Sequence, residues 1–352
     1  MSIIEGLAKW YFRRLEAYRR RDEQVRELMN RAVSEYILSK NPGDEGLPGL
    51  VEEILNYRTR LYEAGTVLTL TIWGGNRGFK DALTNPSATE LAVTLRLAFG
   101  EGDIIDTASD EYDPKILELL GKGRGEVEEA VRRYRLYQEI ISYLDGLIYE
   151  RFSKLHPLGH PIYREYRGRV EEGQREDIEL RYKYLRGDYE EIRRIYPTKE
   201  AVMELLVRKL GLMGEAAARI SYQESGGRDQ SLEDILASFY LNAGVLIQFW
   251  ENDVKKLPLD IKELNTNPIL TYTITHYRDI DHLDKEIVVR LLKENPKILD
   301  ELAEPYTEAL EESLKEIKRY SFDPRTHKGL YLGVKRMAEK EKAALLKGFG
   351  LG

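Results

Sequence analysis

The sequence contains no cysteine among its 352 residues and only five histidines. A chain without thiols has no disulfide framework, no thiolate metal site and no cysteine nucleophile. Also missing is any apolar run approaching the roughly 18–20 residues that a membrane span requires, and the N-terminal segment lacks a signal-peptide pattern. We therefore expect a cytoplasmic protein with no membrane span. Basic residues are not in excess: the formal net charge is −7, which gives no general reason to expect nucleic acid as a partner. No fixed-period repeat is present, so a solenoid is not expected. No run of alternating β-branched residues reads as a strand.

What remains is a highly charged globular composition, 42% hydrophobic and 33% charged, on a chain long enough to bury a sizeable core. The missing cysteine, together with abundant Glu, Lys, Arg and Tyr, suits a thermophile's protein. Apolar residues recur at helical spacing almost throughout. Helices are expected over 1–38, then over 51–73 with a stop at Gly74-Gly75, and from Asn85-Pro86-Ser87 onward. Others are expected over 126–152, 163–184, 198–221 and 232–257, with two or three more following. Loops are expected over 41–48, around His156, Pro157, His160 and Pro161, and at Gly226-Gly227. The fold class is all-α, and with no obvious linker the chain reads as one domain over 1–352.

Two acidic stretches end apolar helical runs. In "EGDIIDTASDEYD", residues 101–113, Asp103, Asp106, Asp110 and Asp113 share one face if the helix continues. Such a stripe is either a solvated helix end or an oxygen-only set suited to Mg²⁺, which is usually completed by a substrate phosphate. In "QFWENDVKKLPLD", residues 248–260, Glu251, Asn252 and Asp253 precede Lys255 and Lys256. Here the choice lies between a metal site and the hydrated end of a helix, with Glu251 and Lys255 forming an ordinary i, i+4 ion pair. Facing one another, the two patches would hold Mg²⁺ ions around a diphosphate.

The order and spacing of several segments resemble the trans-isoprenyl diphosphate synthases, the polyprenyl synthetase family, over roughly residues 50–275. "GDIID" stands for the first aspartate-rich motif, through Asp103 and Asp106. "EGQREDIEL" is similar to the family's Gly-Gln-x-x-Asp segment through Gly173, Gln174 and Asp177. In "VRKLGLMGEAAARIS", Lys209 stands where the family places a diphosphate-binding lysine. Gln248 before Glu251-Asn252-Asp253 is similar to the glutamine of the second aspartate-rich motif. "DIKELNTNPIL" matches its ending through Asp260, Lys262, Glu263, Thr266 and Pro268. Upstream, Arg58 and Arg60 resemble ligands of the isopentenyl diphosphate site.

The resemblance implies an isoprenoid-synthase-type helical bundle with a central cavity. It implies an allylic prenyl diphosphate or other isoprenoid as ligand. Mg²⁺ would sit at Asp103, Asp106, Glu251 and Asp253. Asp103, Asp106 and Lys209 would be catalytic, and Arg58, Arg60, Lys209, Gln248 and Gln174 would bind substrate. It implies a homodimer, or a heteromer with an active prenyl synthase.

The departures fall unevenly. Gly102 replaces the leading aspartate of the first motif, and Glu111-Tyr112 occupies the place of an arginine pair. Tyr57 and Val93 replace a lysine and a histidine. Glu251 and Asn252 replace two aspartates of the second motif, and Lys255 replaces its last. Leu210 replaces the threonine after Lys209, and Asn265 the lysine before Thr266. The isopentenyl diphosphate cradle loses most, each charge-assisted contact being worth on the order of 1.5–3 kcal/mol. The expected function is therefore a Mg²⁺-dependent prenyltransferase with a weakened isopentenyl diphosphate site. The alternatives are a non-catalytic subunit of a heteromeric synthase, a terpene-cyclase-like enzyme, or an isoprenoid-binding protein. His156 and His160 read as loop histidines, and "GKGRGE", residues 121–126, as a mobile basic loop over the site mouth. Tyr57, Trp73, Phe99, Tyr240 and Trp250 read as core.

Overall fold

The computed structural model describes residues 3–41, 43–56, 59–155, 159–280, 282–320, 322 and 324–351, with no side-chain description for 3–15, 21, 25, 28, 29, 56, 59–64 and 324. Every element is helical, and no strand occurs among the described residues. In chain order the helices are α1 (Ile3–Lys40), α2 (Leu47–Asn56), α3 (Thr59–Arg77), α4 (Phe79–Thr84), α5 (Pro86–Tyr112), α6 (Pro114–Leu119), α7 (Arg124–Leu155), α8 (Gly159–Arg186) and α9 (Tyr189–Ile195). They continue with α10 (Lys199–Leu206), α11 (Leu212–Glu224), α12 (Gln230–Ile247), α13 (Lys255–Glu263), α14 (Pro268–His276), α15 (Lys285–Glu294), α16 (Ile298–Ile317) and α17 (Pro324–Gly348). None of them is long and apolar enough to cross a membrane.

The chain forms two compact units, one of residues 1–117, 122–164 and 217–233, the other of 118–121, 165–216 and 234–352. At the centre of the first unit is α5. Its start is set locally: Asn85 caps it by accepting the Ser87 amide at 3.0 Å, and Pro86 fills the first turn, where no amide is needed. From Leu91 to Glu101 every residue of α5 is buried. A helix apolar on all sides must be covered on all sides, and α3, α4 and α7 pack around it. The approach to α3 is close, since a Cβ on Gly65 would lie 2.8 Å from the Leu95 carbonyl oxygen. One polar cluster is sealed inside: Arg96 donates to Asp22 at 2.7 Å, and the Thr66 hydroxyl donates to the same carboxylate oxygen at 2.7 Å. The ion pair is buried on both sides, so each partner is the other's replacement for water.

In the second unit two long helices each carry a stretch of wider π turns. Residues Val207–Gly211 join α10 to α11, and Gln248–Val254 join α12 to α13. Glycines let these rods approach: a Cβ on Gly214 would lie 2.5 Å from the Tyr240 carbonyl oxygen, and one on Gly211 2.9 Å from Val245. The helix starts are again side-chain caps, from Thr198, Asn267 and Asp284. α17 packs on the 248–254 stretch, on α13 and on α16.

The all-α expectation holds, and several boundaries move. α3 runs through Gly74-Gly75 and stops at Gly78, whose φ of +99° is the actual glycine-specific turn. The expected helix over 51–73 is α2 and α3, with Tyr57 and Arg58 outside the described residues. His160 and Pro161 lie in the first turn of α8 rather than in a loop, a position that tolerates proline; His156 and Pro157 lie outside the described residues. Among the described residues four helices, not two or three, follow α13.

Candidate functional site

In the first unit α5 continues unbroken through the acidic stretch, so Asp103, Asp106 and Asp110 lie along one helix. Asp113 does not join them: the helix ends at Tyr112, and Asp113 turns to accept the Ile116 amide at 3.0 Å at the start of α6. Asp103 is buried, while Asp106 and Asp110 are half-buried. Two residues before Asp103, Glu101 is buried and accepts the Tyr163 hydroxyl at 3.1 Å. Beneath the patch is a cavity of about 20 Å³, lined by Arg96, Leu97, Gly100 and Ile104 of α5 among others. That is room for about one water.

Beyond the patch, at the Glu111-Tyr112 replacement, Tyr112 receives a cation from another helix. Arg133 of α7 donates to the Tyr112 hydroxyl at 3.3 Å, to Glu53 at 3.0 Å and to Glu129 at 3.1 Å. Burial, then the charge of Glu111, raises the Tyr112 phenol above its ordinary value. No pattern in the sequence links Arg133 to this place, because the contact joins helices 21 positions apart. Arg58 lies outside the described residues, and so does the side chain of Arg60. Of the expected basic loop, residues 121–123 lie outside the helices, while Arg124, Gly125 and Glu126 open α7. Gly123 donates its amide to Glu126 at 3.1 Å, and Lys122 pairs with Glu126 at 3.3 Å.

In the second unit the π turns carry the residues of interest. Lys209 projects from the first and donates to Asp177 of α8 at 2.5 Å. Both are largely buried, at 12% and 5% side-chain exposure. Gly173 makes this meeting possible: a Cβ there would lie 2.9 Å from the Cβ of Arg208, so α8 and the π turn touch almost backbone to backbone. Arg208 reinforces the junction by donating to both Glu176 oxygens at 2.6 and 2.7 Å. Gln174 is buried one turn before Asp177.

The second π turn holds Gln248, Glu251, Asn252 and Asp253, so the acidic knot sits inside a continuous helix and not at its end. Pro258 lies within α13 and does not terminate it. Glu251 pairs with Lys255 at 2.5 Å, the ion pair anticipated from the i, i+4 spacing. Asn252 turns to Gln248, donating to its side-chain oxygen at 2.6 Å. Asp253 is different. It is 6% exposed, and its Oδ2 is buried with no hydrogen-bond partner. Burial, then the charge of Asp260, pushes its carboxyl well above the usual range, and Lys209 and Lys256 pull against that rise. Asp260 is also raised by burial, while hydrogen bonds from Asn267 and Asn265 oppose the shift.

Asn267 was missed in the sequence. Its amide nitrogen donates to the Asp253 carbonyl at 2.9 Å and to Asp260 Oδ2 at 2.8 Å, while its oxygen accepts the Ile269 amide at 2.9 Å as the cap of α14. The signal was available, since Asn267-Pro268 repeats the Asn85-Pro86 pattern that marks α5. Leu264 closes α13 in the left-handed region at φ +50°, which brings Asn265 and Asn267 back onto Asp260. Of the aromatics, Trp73, Phe99, Tyr240 and Trp250 are buried as expected. Tyr240 lies with its hydroxyl 3.3 Å from His327 Nε2.

Whether these residues suit Mg²⁺ follows from their donors. Asp103 and Asp106 offer oxygen on one turn of one helix, the donor type that this hard ion takes. Asp253 fits through a buried oxygen that lacks a donor of its own. Glu251 is already held by an ammonium.

No family model matches the chain, and neither does any curated protein. Solved structures do. Geranylgeranyl pyrophosphate synthase from Corynebacterium glutamicum, complexed with isoprenyl diphosphate and magnesium, aligns with a TM-score of 0.63 at 14% identity, over 93% of this chain and 98% of that one. The geranylgeranyl pyrophosphate synthetase of the archaeon Geoglobus acetivorans gives 0.59 at 16%, over 90% and 98%. A Caulobacter crescentus polyprenyl synthase, complexed with calcium and isoprenyl diphosphate, gives 0.59 at 14%, over 92% and 97%. The chain has the fold of these proteins.

Proposed function

We propose that this chain, built on the fold of the geranylgeranyl and polyprenyl diphosphate synthases, is a Mg²⁺-dependent transferase that uses a prenyl diphosphate. The observation that carries this reading is Asp253, a nine-tenths buried carboxylate with one oxygen unpartnered, set close to the Lys209 ammonium on that fold. A lone buried carboxylate is costly, and a site that handles a cation and a diphosphate gives it a use.

Asp103, Asp106 and Asp253 would hold the metal, which supplies positive charge to the departing diphosphate. Lys209 would hold the diphosphate against the same charge, and Gln174 and Gln248 would orient it. The C–O bond breaks heterolytically, the diphosphate leaves with the electron pair, and an allylic cation remains. Aromatic and aliphatic side chains around the bound isoprenoid would keep water from that cation, and ring faces would steady it. A double bond of the acceptor then attacks, and loss of a proton restores neutrality. The replacements at Tyr57, Val93 and Glu111-Tyr112 weaken the isopentenyl diphosphate side. The acceptor is therefore weakly bound isopentenyl diphosphate, another nucleophile, or the substrate's own double bond. We further propose a cytoplasmic, dimeric protein.

The test is diphosphate release from geranyl, farnesyl and geranylgeranyl diphosphate with Mg²⁺, with and without isopentenyl diphosphate. Metal-dependent release that Asp103→Ala/Asp106→Ala abolishes is the expected result. No release from any of the three sinks the stand-alone enzyme. It leaves the second reading, a non-catalytic subunit, which the Glu251–Lys255 ion pair favours.

A further inference from the structure

The Lys255 ammonium lies 2.5 Å from the Glu251 carboxylate, both on the helical run that carries Asp253. We propose that Lys255 excludes divalent metal from Glu251, so that the metal requirement of this protein rests on the remaining carboxylates. The inference deepens the proposed function, since it decides which acids of that site are available to a metal.

Three observations carry it. Glu251 is not a bystander waiting for a ligand, because an ammonium holds one of its oxygens at hydrogen-bond distance. A second ammonium, that of Lys340 on α17, lies close enough to feel the Glu251 charge, and α17 packs on this same turn. The neighbouring Asn252 offers no replacement, since its side chain is bonded to Gln248 at 2.6 Å. A dication approaching Glu251 would thus meet a monocation already in place. It would have to displace that ammonium, because the pair together presents little net charge to attract it. Asp253, two residues on, has no such partner on its Oδ2. The helix itself sets the difference: Lys255 stands i+4 to Glu251, whereas Asp253 points into the interior.

The experiment counts Mn²⁺ ions bound per chain by electron paramagnetic resonance, with and without inorganic pyrophosphate. In the wild-type protein Glu251→Gln is expected to leave the count unchanged, and so is Lys255→Arg. Lys255→Met is expected to bind an additional ion, and Lys255→Met/Glu251→Gln to lose it again. A count that falls in Glu251→Gln alone would overturn the inference, and so would a Lys255→Met protein that binds no further ion. Lys255 is solvent-exposed, so its replacement leaves the core untouched. Failure of the proposed function is read separately, from diphosphate release by the Asp103→Ala/Asp106→Ala protein.

Discussion

Lys209 and Asp177 stand 2.5 Å apart on different helices, 32 positions apart in the chain, and almost wholly out of water. Such a pair contributes little against an apolar replacement of both partners, but removing one strands the other. Lys209→Met is therefore expected to destabilise the fold by about 3–5 kcal/mol. Asp177→Asn added to it should recover a large part of the loss. Urea denaturation of the two single variants and the double would measure this, and simple additivity would mean that the pair is not coupled.

Asp253 has the opposite sign. Its carboxyl titrates well above the ordinary value when folded, so the folded state binds more protons than the unfolded state at intermediate pH. By linkage, stability falls as pH rises from the unfolded value near 3.8 up through the folded value. Asp253→Asn removes this cost. Without metal, thermal denaturation at pH 7 should show a gain on the order of 1 kcal/mol, and the gain should vanish below pH ~4.

Two glycine-to-alanine changes should differ in direction. Gly214 faces the Tyr240 carbonyl, where a Cβ would sit at 2.5 Å, so Gly214→Ala forces two helix backbones apart. A loss of about 1–3 kcal/mol is expected. Gly146, inside α7, has nothing within 4 Å of the same added atom. There the better helix propensity of alanine acts alone, and Gly146→Ala should gain up to about 1 kcal/mol. Parallel thermal melts of the two proteins would show the divergence.

Asn267 joins three jobs in one side chain, and Asn267→Ala ends all of them. The cap of α14 is worth about 1 kcal/mol, and leaving Asp260 short of a buried donor costs about 1–3 kcal/mol more. Amide hydrogen exchange should quicken at Ile269, whose amide Asn267 now holds. Unchanged protection at Ile269 would show that the cap is dispensable.

The helices were legible where side chains announce them, as with Asn85 before Pro86 and Thr198 before α10, because capping is a local interaction that the sequence spells out. Whether the helix continues through the acidic stretch stayed open in the sequence, since Gly102 weakens a helix without stopping it, and α5 in fact runs on to Tyr112. Gly74-Gly75 misled because a glycine pair permits a turn without imposing one, and the positive φ falls at Gly78. The order of the motif residues was readable, yet their partners were not. Lys209 meeting Asp177, Arg133 meeting Tyr112 and Asn267 meeting Asp260 are settled by packing between distant helices. The π turns left no trace either, since a single widened turn barely disturbs a hydrophobic period.

Those two turns have a consequence for how such a chain changes over generations. A π turn holds one residue more than the α turn it replaces, and the helix on either side keeps its facing. A one-codon deletion within 207–211 or 248–254 would thus leave the flanking cores in register and withdraw only the segment that carries Lys209, or the one that carries Glu251 and Asp253. The face that carries these side chains can be reset in single steps while the scaffold stays as it is.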